Sequence, residues 1–167
     1  MNKVYQRIID PGKGDCWKCS ICTLLGLEYE AVPNFVEYGD MFYEMAVELF
    51  KQHGYKLTGS YLYNPNACYL ENPTFNVYED SKPPRKDTLE AIKPEYGING
   101  LFLASVYSPK YTTPNEHPMA HLHSVLCDIN FNIVFDPNKE YENVVNYPYS
   151  KIIGYNGIHG IDKILKL

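Results

Sequence analysis

The residue whose type and position best suit a chemical role is Cys16. It follows a glycine-containing turn at residues 10–15 and precedes an apolar segment at residues 17–27. A cysteine at the start of a helix lies near unpaired backbone N–H groups and the positive end of the helix dipole, and both favour the thiolate. Because the thiolate is the nucleophile, Cys16 is the candidate catalytic residue among the five cysteines of the chain.

A cysteine nucleophile needs a base, and the base needs a group that orients it. His123 and Asp136 lie near the outer ends of two segments, residues 121–128 and 131–136, that predict a β-hairpin. A two-residue turn at 129–130 would place His123 and Asp136 directly opposite each other on one face. The carboxylate would then fix the ring tautomer and favour an imidazolium, which would stabilise a thiolate at Cys16.

The segments that must position these residues predict two helices near the start of the chain. Residues 4–9 predict a first strand, which ends at Pro11 and Gly12. The first helix begins at Cys16, ends at Gly26 and has one apolar face, formed by Trp17, Ile21, Leu24 and Leu25. The second helix is capped by Asp40, ends at Gly54 and has an apolar stripe formed by Phe42, Met45, Ala46, Leu49 and Phe50.

Strands dominate the rest of the chain. Residues 64–86 and 108–118 contain several prolines and predict long loops that would border a substrate site. The predicted strands are residues 55–63, 100–107, 121–128 and 131–136, followed by a hairpin of residues 151–155 and 160–165. Helices followed by antiparallel strands predict an α+β fold, and residues 1–167 are expected to form a single domain.

The order of these residues resembles that of papain-like cysteine peptidases, in which a cysteine begins a helix, a histidine lies on a later strand, and Asn or Asp follows on the next. The segment Gly14-Asp15-Cys16, residues 24–27 and residues 32–35 also resemble small phage and bacterial proteins with a Gly-Asp/Asn-Cys helix. Those proteins have a His-x-Val strand and a later Asp-Pro, as do residues 123–125 and 136–137 here. The resemblance covers about the first 36 residues and residues 121–137.

The resemblance implies a papain-like fold, with the N-terminal helix packed against an antiparallel β-sheet, and a Cys16–His123–Asp136 triad. In that family a glutamine before the cysteine helps to bind the oxyanion, and Gln6 corresponds to it, although ten residues separate it from Cys16. Trp17, His121 and Asp15 would border the substrate. Asp15 also suits a helix cap and Trp17 a core position, and His121 is an alternative base to His123.

The implied activity is hydrolysis of a peptide, isopeptide or related amide bond of a peptide or protein substrate through an acyl-enzyme. Two alternatives remain open. The same triad could serve an amidase or acyltransferase that acts on a peptide-like small molecule. The chain could also be a non-catalytic, phage-encoded binding or inhibitor protein with a papain-like fold.

Two metal sites are further alternatives to the triad. Cys16, Cys19 and Cys22 have a spacing found in metal and iron–sulfur sites, but a regular helix would point the three side chains in different directions. His117, His121 and His123 could bind a divalent metal together with Asp136. Packing of Cys19, Cys22, Cys68 and Cys127 as small buried residues is the simpler interpretation, so we predict no metal and no cofactor.

The overall composition excludes other classes of function. The net charge is -5 without a Lys/Arg cluster, which argues against nucleic-acid binding. No apolar segment is as long as a membrane span, and the first residues do not form a signal peptide. The odd number of cysteines also argues against a framework of disulfides. Together these features predict a protein of the cytoplasm of a bacterium or a phage-infected host cell. They do not predict its oligomeric state.

Overall fold

A computed structural model of the chain describes residues 1–10, 13–62, 97–107, 122–129, 132–141 and 152–160. These residues form helices α1 (Cys16–Leu25) and α2 (Phe42–Gln52) and strands β1 (Tyr55–Leu62), β2 (Leu101–Tyr107), β3 (Leu122–Asp128), β4 (Ile133–Phe135) and β5 (Ile152–Gly160). Short 3₁₀ helices lie at Tyr29–Ala31, Phe35–Met41 and Lys139–Tyr141. The predicted α+β class is therefore confirmed. Within the described ranges, no helix is long and apolar enough to cross a membrane.

The described strands form one antiparallel sheet in the order β1-β5-β2-β3-β4. The predicted hairpin of residues 151–155 and 160–165 is wrong, because β5 runs without a turn from 152 to 160. Asn156 and Gly157 form a common turn sequence. However, Asn156 pairs with Ser60 of β1 and Leu103 of β2, so hydrogen bonds on both sides hold the segment extended.

Helix α1 packs against β2 and β3 and is almost fully enclosed. Ile21 and Cys22 are completely buried, and they belong to a core that includes Leu103 and Leu126 of the sheet and Phe50 of α2. The helix ends as predicted at Gly26, whose φ of 72° lies in the left-handed region that glycine adopts at low cost. The tight packing and the defined end fix the position of the first turn, where Cys16 lies.

Two local predictions near the start of the chain are wrong. Residues 4–9 do not form a strand, because their amides bond to other partners: Val4 N–H donates to Thr23 Oγ1 and Gln6 N–H to the Pro137 carbonyl. Asp40 does not cap α2, since it lies in the 3₁₀ helix Phe35–Met41, and Met41 occupies the N-cap position. The apolar stripe of α2 is nevertheless confirmed, with Ala46 and Phe50 fully buried.

Candidate active site

His123 and Asp136 are in direct contact. His123 Nε2 lies 2.8 Å from Asp136 Oδ1, and both residues are buried. The strand register is not the predicted one, because Leu126 pairs with Phe135 and Cys127 with Ile133 across a bulge. Relative to the prediction, the pairing is shifted by one residue at Cys127 and, beyond the bulge, by two residues at Leu126. A total shift of two residues returns Asp136 to the face of His123, as a diagonal neighbour.

The electrostatic environment of His123 links it to Cys16 as well as to Asp136. Burial acts to lower the pKa of His123, but hydrogen bonds to Asp136 and Cys16 and the charges of both groups outweigh it. The resulting pKa is about 9, compared with an ordinary 6.5. Because Nε2 faces Asp136, Nδ1 is the ring nitrogen left for Cys16. At neutral pH the ring is therefore an imidazolium, and both Asp136 and Cys16 favour this charged form.

The carboxylate of Asp136 is held in place from its other side. Its Oδ1 accepts a hydrogen bond of 2.7 Å from the backbone N–H of Asn138, and Asn138 Oδ1 accepts one from the N–H of Glu140. Asp136 Oδ2 is buried, with no hydrogen-bond partner in the structure as described. The turn after β4 thus fixes the carboxylate so that one oxygen serves His123.

Cys16 is the first residue of α1 and is half-buried. Asp15 precedes it at the N-cap position, but its side chain makes no hydrogen bond to the helix, so the predicted side-chain cap is wrong. The first N–H groups of α1 have no acceptor within the helix, and the Asp15 carboxylate does not supply one. The first of these N–H groups belongs to Cys16 itself and so lies near any oxyanion that the Cys16 thiolate would form by attacking a carbonyl.

Gln6 lies close to both parts of the site. Its backbone N–H donates to the carbonyl of Pro137, the residue after Asp136, at 2.9 Å. Its side-chain Nε2 donates to the carbonyl of Ile8 at 3.2 Å and would lie 3.7 Å from a Cβ added at Gly14. The structure thus brings Gln6, ten positions before Cys16 in the sequence, to the start of α1, because the Ile8 carbonyl accepts from both the Gln6 side chain and the Asp15 backbone N–H.

The three residues predicted to border the substrate have different positions. The Trp17 ring packs against Phe35 at 5.1 Å and Phe42 at 5.5 Å, as its core interpretation predicts. Asp15 is 1 % exposed, and its carboxylate bonds within the protein, so it is not available to a substrate and that prediction is wrong. His121 lies outside the described residues, as do His117, Cys68 and the predicted loops at 64–86 and 108–118.

The remaining described cysteines differ from Cys16 in their burial. Cys19, Cys22 and Cys127 are completely buried, and burial raises the pKa of all three, to about 11 for Cys22 and about 12 for Cys127. Their thiols are therefore protonated at neutral pH and shielded from reagents. Among the residues that the structure describes, no group of three or more His, Cys, Asp or Glu side chains is arranged to hold a metal ion.

Two residues of the site were not predicted from the sequence. Asn138 has a local signal, because an Asp-Pro-Asn sequence favours a turn in which side chains bond to nearby amides. Tyr29 has no such signal. Its hydroxyl donates to Asp15 Oδ2 at 2.7 Å, a contact that depends on how the segment after α1 folds back over the start of that helix.

No protein-family model, curated protein or solved structure matches the chain. The chemistry of the site must therefore be inferred from its own geometry.

Proposed function

We propose that the protein is a cysteine-dependent hydrolase that cleaves a peptide, isopeptide or related amide bond, with Cys16, His123 and Asp136 as its triad. The observation that supports this most directly is the position of His123, whose Nε2 is hydrogen-bonded to Asp136 and whose pKa is raised by both Asp136 and Cys16. A nucleophile, a base and an orienting carboxylate in that order are the components of covalent acyl transfer.

In the proposed reaction, Cys16 Sγ attacks the carbonyl carbon of the scissile bond and forms a tetrahedral oxyanion. The backbone N–H of Cys16 and the side chain of Gln6 stabilise this oxyanion. His123 donates its Nδ1 proton to the departing amine, which leaves a thioester on Cys16. His123 then removes a proton from water, which attacks the thioester and releases the carboxylic acid and the thiolate.

The architecture supports a papain-like fold as part of the proposal. The nucleophile begins a helix that packs against an antiparallel sheet, and the base and its carboxylate belong to adjacent strands of that sheet. A reducing compartment such as the cytoplasm suits the proposal, because the nucleophile must remain a free thiol.

The first test is the rate at which iodoacetamide alkylates each cysteine at pH 6, followed by peptide mapping. Cys16 is more exposed than the other described cysteines, so preferential labelling alone would not demonstrate activation. The decisive comparison is with His123→Ala, which leaves Cys16 accessible but removes the imidazolium. An unpaired thiol is less than about 1 % thiolate at pH 6, so we expect His123→Ala to slow Cys16 alkylation at least about tenfold.

The second test is cleavage of a peptide mixture, followed by mass spectrometry. We expect new termini with the wild type and none with Cys16→Ala. Adding hydroxylamine separates hydrolysis from transfer, because a transferase would give mainly the hydroxamate instead of the acid. Equal alkylation rates in the wild type and His123→Ala, with no cleavage, would contradict the proposed function and favour a binding protein.

A further inference from the structure

The buried carboxylate of Asp15 bonds to the segment that contains Gln6. Asp15 Oδ1 accepts a hydrogen bond from the backbone N–H of Ile8 at 3.1 Å, and Oδ2 accepts one from that of Arg7 at 3.1 Å. The backbone N–H of Asp15 donates in turn to the Ile8 carbonyl at 3.3 Å. Residues 7 and 8 are therefore attached to the residue immediately before Cys16 by three hydrogen bonds.

Tyr29 completes this arrangement from the opposite side. Its hydroxyl donates to Asp15 Oδ2, and its ring lies between two cations. The Arg7 guanidinium is 3.7 Å and the Lys18 ammonium 3.6 Å from the ring centroid. Two cations at such distances cannot occupy the same face, so they must lie on opposite faces of the ring. Asp15, Tyr29, Arg7, Ile8 and Lys18 are called the Asp15 cluster below.

The Asp15 cluster reaches Gln6 through one shared acceptor. The Ile8 carbonyl accepts hydrogen bonds from both the Asp15 backbone and the Gln6 side-chain Nε2. A carboxamide nitrogen has two N–H donors, and the Ile8 carbonyl orients Nε2 by using one of them. The second donor stays free for another acceptor, and Nε2 lies 3.7 Å from where a Cβ would be at Gly14, two residues before the proposed nucleophile.

We propose that the Asp15 cluster positions the oxyanion-binding donors of the hydrolase, with Asp15 and Tyr29 as positioning residues that never contact the substrate. This positioning role rests on the proposed function. It extends that function by assigning a role to the buried Asp15 carboxylate, which is not part of the triad. The structural argument is that Asp15 bonds to residues 7 and 8 instead of to its own helix. The same carboxylate thereby holds the segment that follows Gln6 against the residue immediately before Cys16.

The test uses two reagents that react with the same sulfur atom. Iodoacetamide alkylates a thiolate at a saturated carbon, so no oxyanion forms. With p-nitrophenyl acetate, the sulfur attacks the ester carbonyl, an oxyanion forms, and p-nitrophenolate leaves as Cys16 becomes S-acetylated. The ratio of the two rates at Cys16 therefore reports oxyanion binding separately from the nucleophilicity of the thiolate.

Tyr29→Phe is the main variant, because it keeps the ring between the two cations and removes only the hydrogen bond to Asp15. We expect its alkylation rate to stay within about twofold of the wild type and its acetylation rate to fall about tenfold. Gln6→Ala should give the same selective loss, and combining it with Tyr29→Phe should add little, because both changes act on one donor. Tyr38→Phe is the matched control, since it removes a phenol hydroxyl at an exposed position.

Unchanged acetylation in Tyr29→Phe would overturn the proposal. So would a parallel fall of both rates, which is what a general loss of structure would cause. Asp15→Asn is a second variant for the same comparison of the two rates. Its amide nitrogen is a donor, so it could not accept from the backbone N–H group of residue 7 or 8 that it would face. If wild-type Cys16 were not acetylated above the background of Cys16→Ala, the proposed function itself would fail, and the positioning role with it.

Discussion

Replacing Asp136 with asparagine tests the electrostatic coupling on which the candidate site depends. The substitution keeps the size of the side chain and an oxygen that can accept from His123 Nε2 and from the Asn138 amide. The new amide nitrogen would occupy the place of Oδ2, which has no hydrogen-bond partner in the part of the chain that the structure describes. The pH-dependent change is therefore the loss of one negative charge beside the His123 ring, whereas the buried amide nitrogen adds a cost that does not vary with pH.

The size of the effect follows from the pKa of His123. A pKa of about 9 in the folded protein, against 6.5 ordinarily, corresponds to about 3 kcal/mol at about 1.4 kcal/mol per pKa unit. Below pH 6.5 the ring is protonated in both states, so this contribution to the free energy of unfolding is fully present. It declines as the pH rises past 6.5 and is lost above about 9, where the folded ring also loses its proton.

A hydrogen bond to a charged group contributes about 1.5–3 kcal/mol. Asp136→Asn should therefore remove about half or more of the stability that follows from the raised pKa of His123. We expect the difference in stability between the wild type and the variant to be larger at pH 6 than at pH 10 by that amount. Cys19, Cys22 and Cys127 also destabilise the folded state at high pH, because burial raises their pKa values. Comparing the two proteins cancels that contribution, which is common to both.

Urea unfolding at a series of pH values gives these free energies, with a phosphine reductant present to keep the thiols reduced. The fluorescence of Trp17 is a suitable signal, because it is the single tryptophan of the chain and packs against Phe35 and Phe42 in the core. A difference between the two proteins that does not vary with pH would refute the reasoning. It would mean that His123 is not a charged partner of Asp136 near neutral pH.

Two further predictions concern the start and the end of helix α1. Cys16→Ala should lower the pKa of His123 below about 9, because it removes a hydrogen bond and a charge that raise this pKa. NMR titration of the His123 ring protons measures the change directly. An unchanged pKa would exclude the contact between Cys16 and His123. Gly26→Ala should cost about 1 kcal/mol of unfolding free energy in urea titrations, because the left-handed φ of 72° disfavours a Cβ although the space around it is open. Gly26→Asn should cost less, since asparagine tolerates that conformation.

The local elements were predictable where one physical signal dominated. The apolar period, the preceding glycine-containing turn and Gly26 located α1, and apolar segments bounded by turn residues located most of β1, β2 and β3. Strand β5 was not predictable in the same way. Its Asn156–Gly157 sequence favours a turn locally, and pairing with two neighbouring strands overrides that preference.

The contact between His123 and Asp136 was predicted although the strand register was not. The prediction depended on the two side chains lying on the same face, and side chains return to the same face after every second residue. The actual shift of two residues therefore preserves the contact, whereas a shift of one would have moved Asp136 to the opposite face. Sequence spacing gives the face of a strand residue more reliably than its exact partner.

Asp15 shows why the support of the site could not be predicted. An aspartate before a helix normally caps it, and the sequence offers no sign that this carboxylate bonds to Arg7 and Ile8 instead. The difference depends on Tyr29, fourteen residues away, whose hydroxyl bonds to the carboxylate from the other side. A side-chain cap would turn the Asp15 carboxylate to the amides of Trp17 or Lys18, and it would then no longer accept from residues 7 and 8, which follow Gln6. Under the proposal, the departure from the local rule therefore serves the position of Gln6, and Tyr29→Phe is the smallest change that tests this role.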